Sequence, residues 1–440
     1  MDHAWGGLCG PLLESAPNTT HYNPTQLCTG HAMTLPAPCP TGTLPDTCDV
    51  LVIGAGPSGS ACAATLAAAG WSVCLVDQQD FPRDKVCGDG LIPDAHAALR
   101  RLGVHDEVMA HAEHVGHVRC VAPRGGQVDV PGSLAVLPRR VLDFLLVQHA
   151  QRQGVRLVTP VKFDAVVEEN GRVVGARLRQ GDARPEVRAR WVVLATGAGV
   201  QPLVATGLCT RRTPSGIALR GYVRNPSLAG RQTTMDVVWD KALRPGYGWI
   251  FPCGDDTYNI GVGAFFQRGQ AADANLRQMF DDFTRVYAPA RALMDGGTLQ
   301  GELKGAPLRC TLDGAASGRP GLIATGETLG STYDFTGEGI GKALETGLMA
   351  ADALLQGARE GLDEAAVRQH YDTQLATLRP KFALYEKANS VNRHPWLADL
   401  VIWRARHSER MRRRMAGVLE ETANPGHLLS ARGLYKLFFQ

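Results

Sequence analysis

Three glycines and one acidic residue near the start of the chain have the types and spacing that suit binding of a dinucleotide. Gly54, Gly56 and Gly59 follow the pattern G-x-G-x-x-G, and Asp77 comes roughly 20 residues later. The first glycine permits a tight turn, the second lets the backbone approach a pyrophosphate, and the third lets a helix pack on a strand. The acid can bind both ribose hydroxyls. The motif indicates a dinucleotide without saying which one.

The residues around this motif predict the β-turn-α-β unit that must position it. Residues 49–53 are an apolar, β-branched run, as expected of a buried parallel strand. Residues 58–69 are small and helix-forming, and residues 71–76 form a second apolar run. The N-terminus of such a helix offers free N–H groups and a positive dipole end to phosphates. We therefore predict cofactor contacts at the following residues: Gly54, Gly56, Pro57, Ser58, Gly59 and Asp77.

Composition limits the function classes. The 440 residues are 44% hydrophobic and 20% charged, which is ordinary globular composition with enough core for two subdomains. The net charge of +3 does not call for a nucleic-acid partner. The 11 cysteines are scattered without a C-x-x-C pair, so no metal site is predicted. We expect a cytoplasmic protein, since neither a signal peptide nor an apolar run of ~18–20 residues is present.

The remaining patterns predict an α/β chain with an interrupted nucleotide-binding domain. Apolar strands and helices flank a middle block whose alternating polar and apolar residues predict an antiparallel sheet. Met33 is an alternative translation start within an aperiodic N-terminal segment. The expected parts are an irregular extension (1–47), a Rossmann-type domain with a small strand insertion (48–204), a substrate-binding sheet (205–310), the second part of the Rossmann-type domain (311–356) and a helical region (357–440), with one helix over 396–416.

Further motifs occur in a recognisable order. The loop Cys87-Gly88-Asp89-Gly90 is followed by an Arg-x-x-Leu-Asp helix start at Arg139 and an Ala-Thr-Gly strand end at 195–197. Residues 245–263 contain Y-x-W-x-F-P, and residues 321–347 contain a strand, a loop and a glycine-rich helix start. From about residue 49 to residue 353, this series resembles the FAD-dependent geranylgeranyl reductase family. That family lies within a wider flavoprotein group that includes aromatic hydroxylases and flavin-dependent halogenases.

The resemblance implies FAD as the cofactor. It places Arg139 at the pyrophosphate, Glu327 at the ribitol or phosphate region, and the helix start at Gly337 beside the flavin pyrimidine edge. Glu327 stands where the family usually has Asp, and Asp334 replaces a usual proline. The further cofactor-binding residues implied in this way are Cys87, Gly88, Asp89, Arg139, Ala195, Gly197, Gly326, Glu327, Gly337, Gly339 and Ile340.

Three residues are candidates for catalysis. The resemblance places Cys87 near the flavin, where its thiol would help to protonate the substrate; the alternative is a structural loop thiol. Tyr247 and Trp249 are two residues apart on a predicted strand and so share one face. The resemblance makes this face the wall of a cavity for an apolar polyprenyl chain, and the alternative is ordinary sheet core.

The resemblance implies a reductase that hydrogenates C=C bonds of a prenyl or other lipophilic substrate. Because no second nucleotide-binding unit is recognised, the electron donor would be transiently bound NADPH or an electron-transfer protein. Two alternatives stay open: a flavin monooxygenase and a flavoprotein that relays electrons to a partner. Halogenation is disfavoured, because Tyr247 takes the place of one of the halogenases' paired tryptophans and Phe251 replaces a usual isoleucine.

The C-terminal region is rich in arginine. The helix predicted over 396–416 carries six arginines together with Trp396 and Trp403. A packed helix with a solvated charged face is the favoured interpretation. Peripheral contact with an anionic membrane surface is the alternative.

Overall fold

The computed structural model describes residue 39, residues 41–267 and residues 274–420, all within one compact unit. Most of the predicted irregular extension, including Met33, lies outside the described residues. Residues 41–46 contain neither helix nor strand. The α/β class is confirmed.

The first half of the described chain alternates strands with helices. In chain order its elements are β1 (Thr47–Ile53), α1 (Pro57–Ala68), β2 (Val73–Val76), β3 (Gly90–Leu91), α2 (Pro93–Leu102), α3 (His105–Met109), β4 (Glu113–Val121), β5 (Gln127–Val136), α4 (Arg139–Arg152), β6 (Arg156–Val158), β7 (Lys162–Glu169), β8 (Arg172–Arg179), β9 (Glu186–Leu194) and α5 (Val200–Ala205).

The second half contains further strands with two helices among them, and it ends in a series of helices. Its elements are β10 (Gly216–Arg224), β11 (Met235–Val238), β12 (Gly246–Pro252), β13 (Thr257–Phe265), α6 (Leu276–Val286), α7 (Ala288–Asp295), β14 (Thr298–Leu299), β15 (Lys304–Leu308), β16 (Gly318–Arg319), β17 (Leu322–Ala324), α8 (Ile340–Glu360), α9 (Glu364–Ala388), α10 (Ser390–Arg393), α11 (Trp396–Arg406) and α12 (Glu409–Leu419).

The first sheet is the nucleotide-binding sheet. Its order is β16-β17-β9-β1-β2-β6, with the hairpin β7–β8 attached to β9. The strands from β17 to β6 are parallel, so their carboxyl ends meet at one edge. Residues 50–53 and 192–194 are at most 3% exposed, as expected for parallel strands covered on both faces. This burial explains their continuous apolar composition.

The second sheet is mostly antiparallel, and it combines strands that are distant in sequence. Its order is β14-β10-β13-β12-β11-β4-β5-β3, and β15 also pairs with β10. β4 lies within the segment predicted as the first part of the Rossmann-type domain, yet it pairs in parallel with β11. The strand insertion predicted there therefore extends the second sheet. The predicted domain boundaries themselves remain predictions.

One prediction of local structure was incomplete and another was wrong. The block 205–310 contains the predicted antiparallel strands β10, β12 and β13, and it also contains the helices α6 and α7. These helices form because Asn275 caps α6 and Met279, Phe280 and Phe283 bury one helical face. The single helix over 396–416 is two helices, α11 and α12. Ser408 interrupts it, since its extended backbone begins α12 and its hydroxyl accepts a hydrogen bond from the Met411 amide at 3.3 Å.

Among the described residues, no group of three or more His, Cys, Asp or Glu side chains is arranged to hold a metal ion. Nor is any helix in these ranges both long and apolar enough to cross a membrane.

Candidate active site

A cavity of about 750 Å³ extends from the edge of the first sheet to the inner face of the second. At one end lie the residues that follow β1, β2 and β9, and at the other end lie side chains of β12, α11 and α12. All of the predicted site residues line this cavity except Gly59 and Gly326. The structure thus brings together predicted site residues that are up to 286 positions apart in the chain, from Gly54 to Ile340.

The glycine turn forms one end of the cavity. Gly54 has φ +105°, and a Cβ there would lie 2.2 Å from the Ala195 carbonyl oxygen, so only glycine fits. Gly56 is the N-cap of α1, which has no side-chain cap. The first N–H groups of the helix are therefore available to an anion.

Two arginines stand beside this turn. A Cβ on Gly56 would lie 3.7 Å from Arg83 Nη2 and 3.8 Å from Arg139 Nη2. Both guanidinium groups are held by Asp143, which is completely buried. Arg139 donates to it at 2.6 and 2.8 Å, and Arg83 Nη1 lies 3.0 Å from it. Burial disfavours the charged form of Arg139, but the charges and hydrogen bonds of Asp143 and Cys87 together outweigh burial, and the pKa of Arg139 is raised. The predicted role of Arg139 at a pyrophosphate agrees with this position.

Asp77 is oriented by the backbone. Its two carboxylate oxygens accept hydrogen bonds from the amides of Ala55 at 2.9 Å and Gln79 at 3.0 Å. The oxygen bonded to Ala55 also accepts a hydrogen bond from Arg83 Nη2 at 3.4 Å, whereas the oxygen bonded to Gln79 keeps a further lone pair, and the side chain lines the cavity. The carboxylate is therefore positioned to accept hydrogen bonds from ribose hydroxyls.

The second flavin segment forms the middle of the cavity. α8 begins at Ile340, and its N-cap Gly339 provides no side-chain cap. Glu327 lines the cavity, and its Oε1 atom is buried without a hydrogen-bond partner among the described residues. A buried acceptor of this kind is costly unless a ligand hydroxyl satisfies it. Glutamate thus reaches the cavity at the position where the family usually has aspartate.

Gly59 and Gly326 act behind the cavity wall. A Cβ on Gly59 would lie 1.9 Å from the Gly54 carbonyl oxygen, which is the close helix–strand approach expected of the third glycine. Gly326 has φ +67°, and a Cβ there would lie 2.3 Å from the Ser58 hydroxyl oxygen. Neither residue lines the cavity, and both permit close packing, so direct cofactor contact at these two residues stays a prediction.

Cys87 lies in the cavity wall with charged neighbours. Its sulfur accepts a hydrogen bond from the Asp89 amide at 3.3 Å and also interacts with the Arg139 side chain. Burial, followed by the negative charge of Asp89, raises the pKa of the thiol. Burial also raises the pKa of Asp89 to about 6. At neutral pH the thiol therefore holds its proton beside a guanidinium that would stabilise the thiolate.

Asn259 joins this loop to the aromatic wall. Its amide nitrogen donates to the Cys87 carbonyl at 2.8 Å and to Asp89 at 2.7 Å, and its oxygen accepts from Trp249 Nε1 at 2.9 Å. Asn259 is completely buried, and Tyr222 also donates to Asp89. The network fixes the Cys87 loop against Trp249.

The aromatic wall consists of Tyr247 and Trp249 on β12 with neighbouring rings. The ring centroids of Tyr247 and Trp249 are 6.2 Å apart, and Phe265 stacks on Tyr247 at 5.8 Å. The Tyr247 hydroxyl donates to the Thr336 carbonyl, and Trp249 donates to Asn259. Both polar groups therefore bond to protein, and the rings offer mainly apolar surface to the cavity.

Sequence reasoning missed several lining residues. Arg83 lies in the loop before Cys87, and its basic charge beside an expected phosphate site was the available signal. Trp239 and Phe335 stack at 6.0 Å and line the cavity. Apolar residues of the C-terminal helices also line it, and no local motif marks them.

The cavity suits FAD by its own geometry. Two helix N-termini without side-chain caps, two guanidinium groups and an unpartnered carboxylate oxygen face one continuous space. Residues 47–211 match the family model described as an FAD binding domain. FAD is the cofactor of this protein.

The chain is similar to curated reductases along most of its length. It is 33% identical over 341 residues to a menaquinone reductase of Mycolicibacterium smegmatis, covering 73% of this chain and 81% of that protein. It is 26% identical over 327 residues to digeranylgeranylglycerophospholipid reductase 2 of Methanopyrus kandleri, covering 73% of this chain and 81% of that protein.

The chain belongs to the FAD-dependent geranylgeranyl reductase family. It is accordingly an FAD-dependent oxidoreductase. A solved geranylgeranyl bacteriochlorophyll reductase-like protein from Thermoplasma acidophilum has the same fold, with a TM-score of 0.67 and 21% identity over 90% of this chain and 96% of that one.

Proposed function

We propose that this oxidoreductase hydrogenates a C=C bond in the isoprenoid chain of a lipophilic substrate. The observation that carries the proposal is the apolar extension of the cavity past Tyr247 and Trp249, with the Cys87 thiol in the same wall. The names of two relatives refer to menaquinone and to a digeranylgeranyl lipid, and both kinds of molecule carry an isoprenoid chain. An aromatic and aliphatic lining suits such a chain.

The proposed reaction needs a hydride and a proton. Reduced FAD held in this cavity would supply the hydride for one alkene carbon and would be left oxidised, while a proton adds to the other carbon. Cys87 provides the proton, because its raised pKa keeps the thiol protonated at neutral pH. Arg139 stabilises the thiolate that remains, and a solvent proton restores the thiol.

The other groups bind and position. The Tyr247 and Trp249 rings hold the isoprenoid chain, while their polar atoms keep the Thr336 carbonyl and Asn259 in place. Arg83, Arg139 and the α1 N-terminus bind the pyrophosphate. Electrons return to the cofactor from NADPH that binds transiently or from an electron-transfer protein.

The experiment is an anaerobic half-reaction. The FAD-loaded protein is photoreduced, mixed with a menaquinone or a digeranylgeranyl lipid, and followed by flavin absorbance. The extracted lipid is then exposed to air, and its molecular mass is measured by mass spectrometry. We expect flavin reoxidation and a gain of two hydrogens that survives air, because a saturated bond does not reoxidise whereas a quinol does. When the protein is photoreduced and mixed in D₂O, both of these hydrogens should be deuterium, because the N–H group of reduced flavin and the thiol both take their hydrogen from solvent.

Other outcomes would refute the proposal. Reoxidation without a lasting mass gain would indicate quinone-ring reduction or electron relay. Reoxidation only after oxygen is admitted, with oxygen in the product, would indicate a monooxygenase. A menaquinone with a fully saturated side chain is the matched control substrate, and it should gain no hydrogens.

A further inference from the structure

The outward face of α11 carries large aromatic side chains. Trp396 is 58% exposed and Trp403 is 52% exposed, which makes them the most exposed large apolar residues in residues 41–267 and 274–420. They are seven positions apart, with Leu400 between them, so the three side chains lie on one helical face. Burying either indole would be favourable, yet the described protein leaves both in solvent.

The opposite face of α11 already makes the packing contacts of this helix. Leu397, Ala398, Ile402 and Ala405 are buried in a core cluster that includes Trp239 and Tyr247. The two exposed tryptophans therefore add nothing to this core. Their presence on the solvent-facing side of α11 calls for another contact.

Basic residues surround this aromatic stripe. Residues 396–420 contain six arginines and three acidic residues. Arg406, Arg410 and Arg414 are exposed, whereas Glu409 pairs with Arg412 and Arg413. Tryptophans flanked by arginines are the combination that binds the headgroup region of a bilayer, and the charge is complementary to anionic lipids.

The same two helices separate this surface from the cavity. Ala398, Val401 and Ile402 of α11 line the cavity, as do Met415 and Leu419 of α12. An α-helix with its side chains is about 10 Å thick. The apolar end of the cavity thus lies one helix away from the exposed tryptophans.

We propose that Trp396, Leu400, Trp403, Arg406, Arg410 and Arg414 form a docking face that binds the surface of an anionic bilayer. Docking would place the apolar end of the cavity beside the lipid phase, from which an isoprenoid substrate enters. The route of substrate entry rests on the proposed function, whereas binding to the bilayer does not.

The test is cosedimentation of the full-length, FAD-loaded protein with vesicles. Vesicles of phosphatidylcholine alone are compared with vesicles that also contain phosphatidylglycerol. Trp396→Ser/Trp403→Ser removes the aromatic part of the docking face, and Arg410→Gln/Arg414→Gln removes part of its charge. Val204→Ser/Val286→Ser and Arg177→Gln/Arg212→Gln make the same kinds of change at exposed positions elsewhere.

We expect binding to the anionic vesicles, and a partition coefficient that falls roughly fivefold for each arginine removed. The tryptophan variant should lose at least tenfold, and the control variants should bind like the unaltered protein. The unaltered protein should also show a blue shift of tryptophan emission on vesicles that the Trp396→Ser/Trp403→Ser variant lacks.

Three results would overturn the inference. One is failure to bind either kind of vesicle, and another is binding that the docking-face and control variants share equally. The third is a dimer in light scattering that Trp396→Ser/Trp403→Ser dissociates without any vesicle binding, since a second copy would then cover the face. Hydrogenation of a detergent-dispersed lipid is measured separately, so loss of docking and loss of the proposed function remain distinguishable.

Discussion

Replacing Asn259 by leucine tests the link between the Cys87 loop and the aromatic wall. The two side chains have similar size, but leucine has no hydrogen-bonding atoms. The change leaves the Trp249 indole N–H and the Cys87 carbonyl without their partner, and Asp89 keeps only its other donors. We expect both lower stability and slower chemistry.

The size of the effect follows from the number of orphaned groups. A buried polar group left unsatisfied costs about 1–3 kcal/mol. Two such groups, with Asp89 partly satisfied by Tyr222, give a loss of about 4 kcal/mol in the free energy of unfolding. For a chain of 440 residues, with an unfolding entropy of about 2.1 cal/mol/K per residue, the Tm should fall by about 4 °C.

The assay combines thermal unfolding with the anaerobic half-reaction. The reoxidation rate constant of Asn259→Leu should fall at least tenfold, which corresponds to about 1.4 kcal/mol in the barrier, because the thiol is no longer held in place. Gln369→Leu removes an exposed amide and is the control. A Tm and a rate equal to those of Gln369→Leu would refute the reasoning, since the Asn259 hydrogen bonds would then contribute neither to stability nor to the rate.

Three further predictions concern other parts of the site. Cys87→Ala should slow the half-reaction about a hundredfold, and Cys87→Ser should slow it less, with FAD content unchanged in both. Equal rates in the two variants and the unaltered protein would exclude proton donation by the thiol. Gly326→Ala should lower the free energy of unfolding, measured in urea, by about 3 kcal/mol, because φ is +67° and the new Cβ would lie 2.3 Å from Ser58 Oγ. The control Gly361→Ala, with φ +63° but open space around the new Cβ, should lower the free energy of unfolding by only about 1 kcal/mol. Burial raises the pKa of Asp334 to about 6, so its contribution to stability is full below about pH 4 and is lost as the pH rises to about 6. Asp334→Asn should therefore reduce the fall of the urea midpoint between pH 4 and pH 6, and an unchanged fall in this variant would contradict the prediction.

Local patterns predicted the nucleotide-binding unit well. The strand, turn and helix from Thr47 to Ala68 depend on contacts between neighbours in sequence, and Gly54 has the positive φ that its role requires. The start of α8 at Ile340 likewise follows from nearby glycines. Such features can be predicted because local steric requirements determine which residue types are suitable at each position.

Long-range pairing could not be predicted in this way. The parallel pairing of β4 with β11 joins strands more than 100 residues apart, and no residue type in either strand specifies the partner. Asn259 lies within an apolar strand, and only the fold shows which three groups it satisfies. The break at Ser408 was missed because the residues on both sides are good helix formers, so propensity alone continues the helix.

The Arg-x-x-Leu-Asp motif shows how a resemblance acquires a physical reason. Arg139 and Asp143 are four residues apart on α4, so their side chains meet on one face. Asp143 is completely buried and also holds Arg83, which comes from the loop before Cys87. A lone buried carboxylate would be costly, but two guanidinium groups satisfy it. In return, Asp143 fixes both guanidinium groups beside Gly56, where the dinucleotide phosphates must pass. The aspartate therefore serves as the positioning residue for both arginines, which explains why the motif needs an acid at a site for an anion.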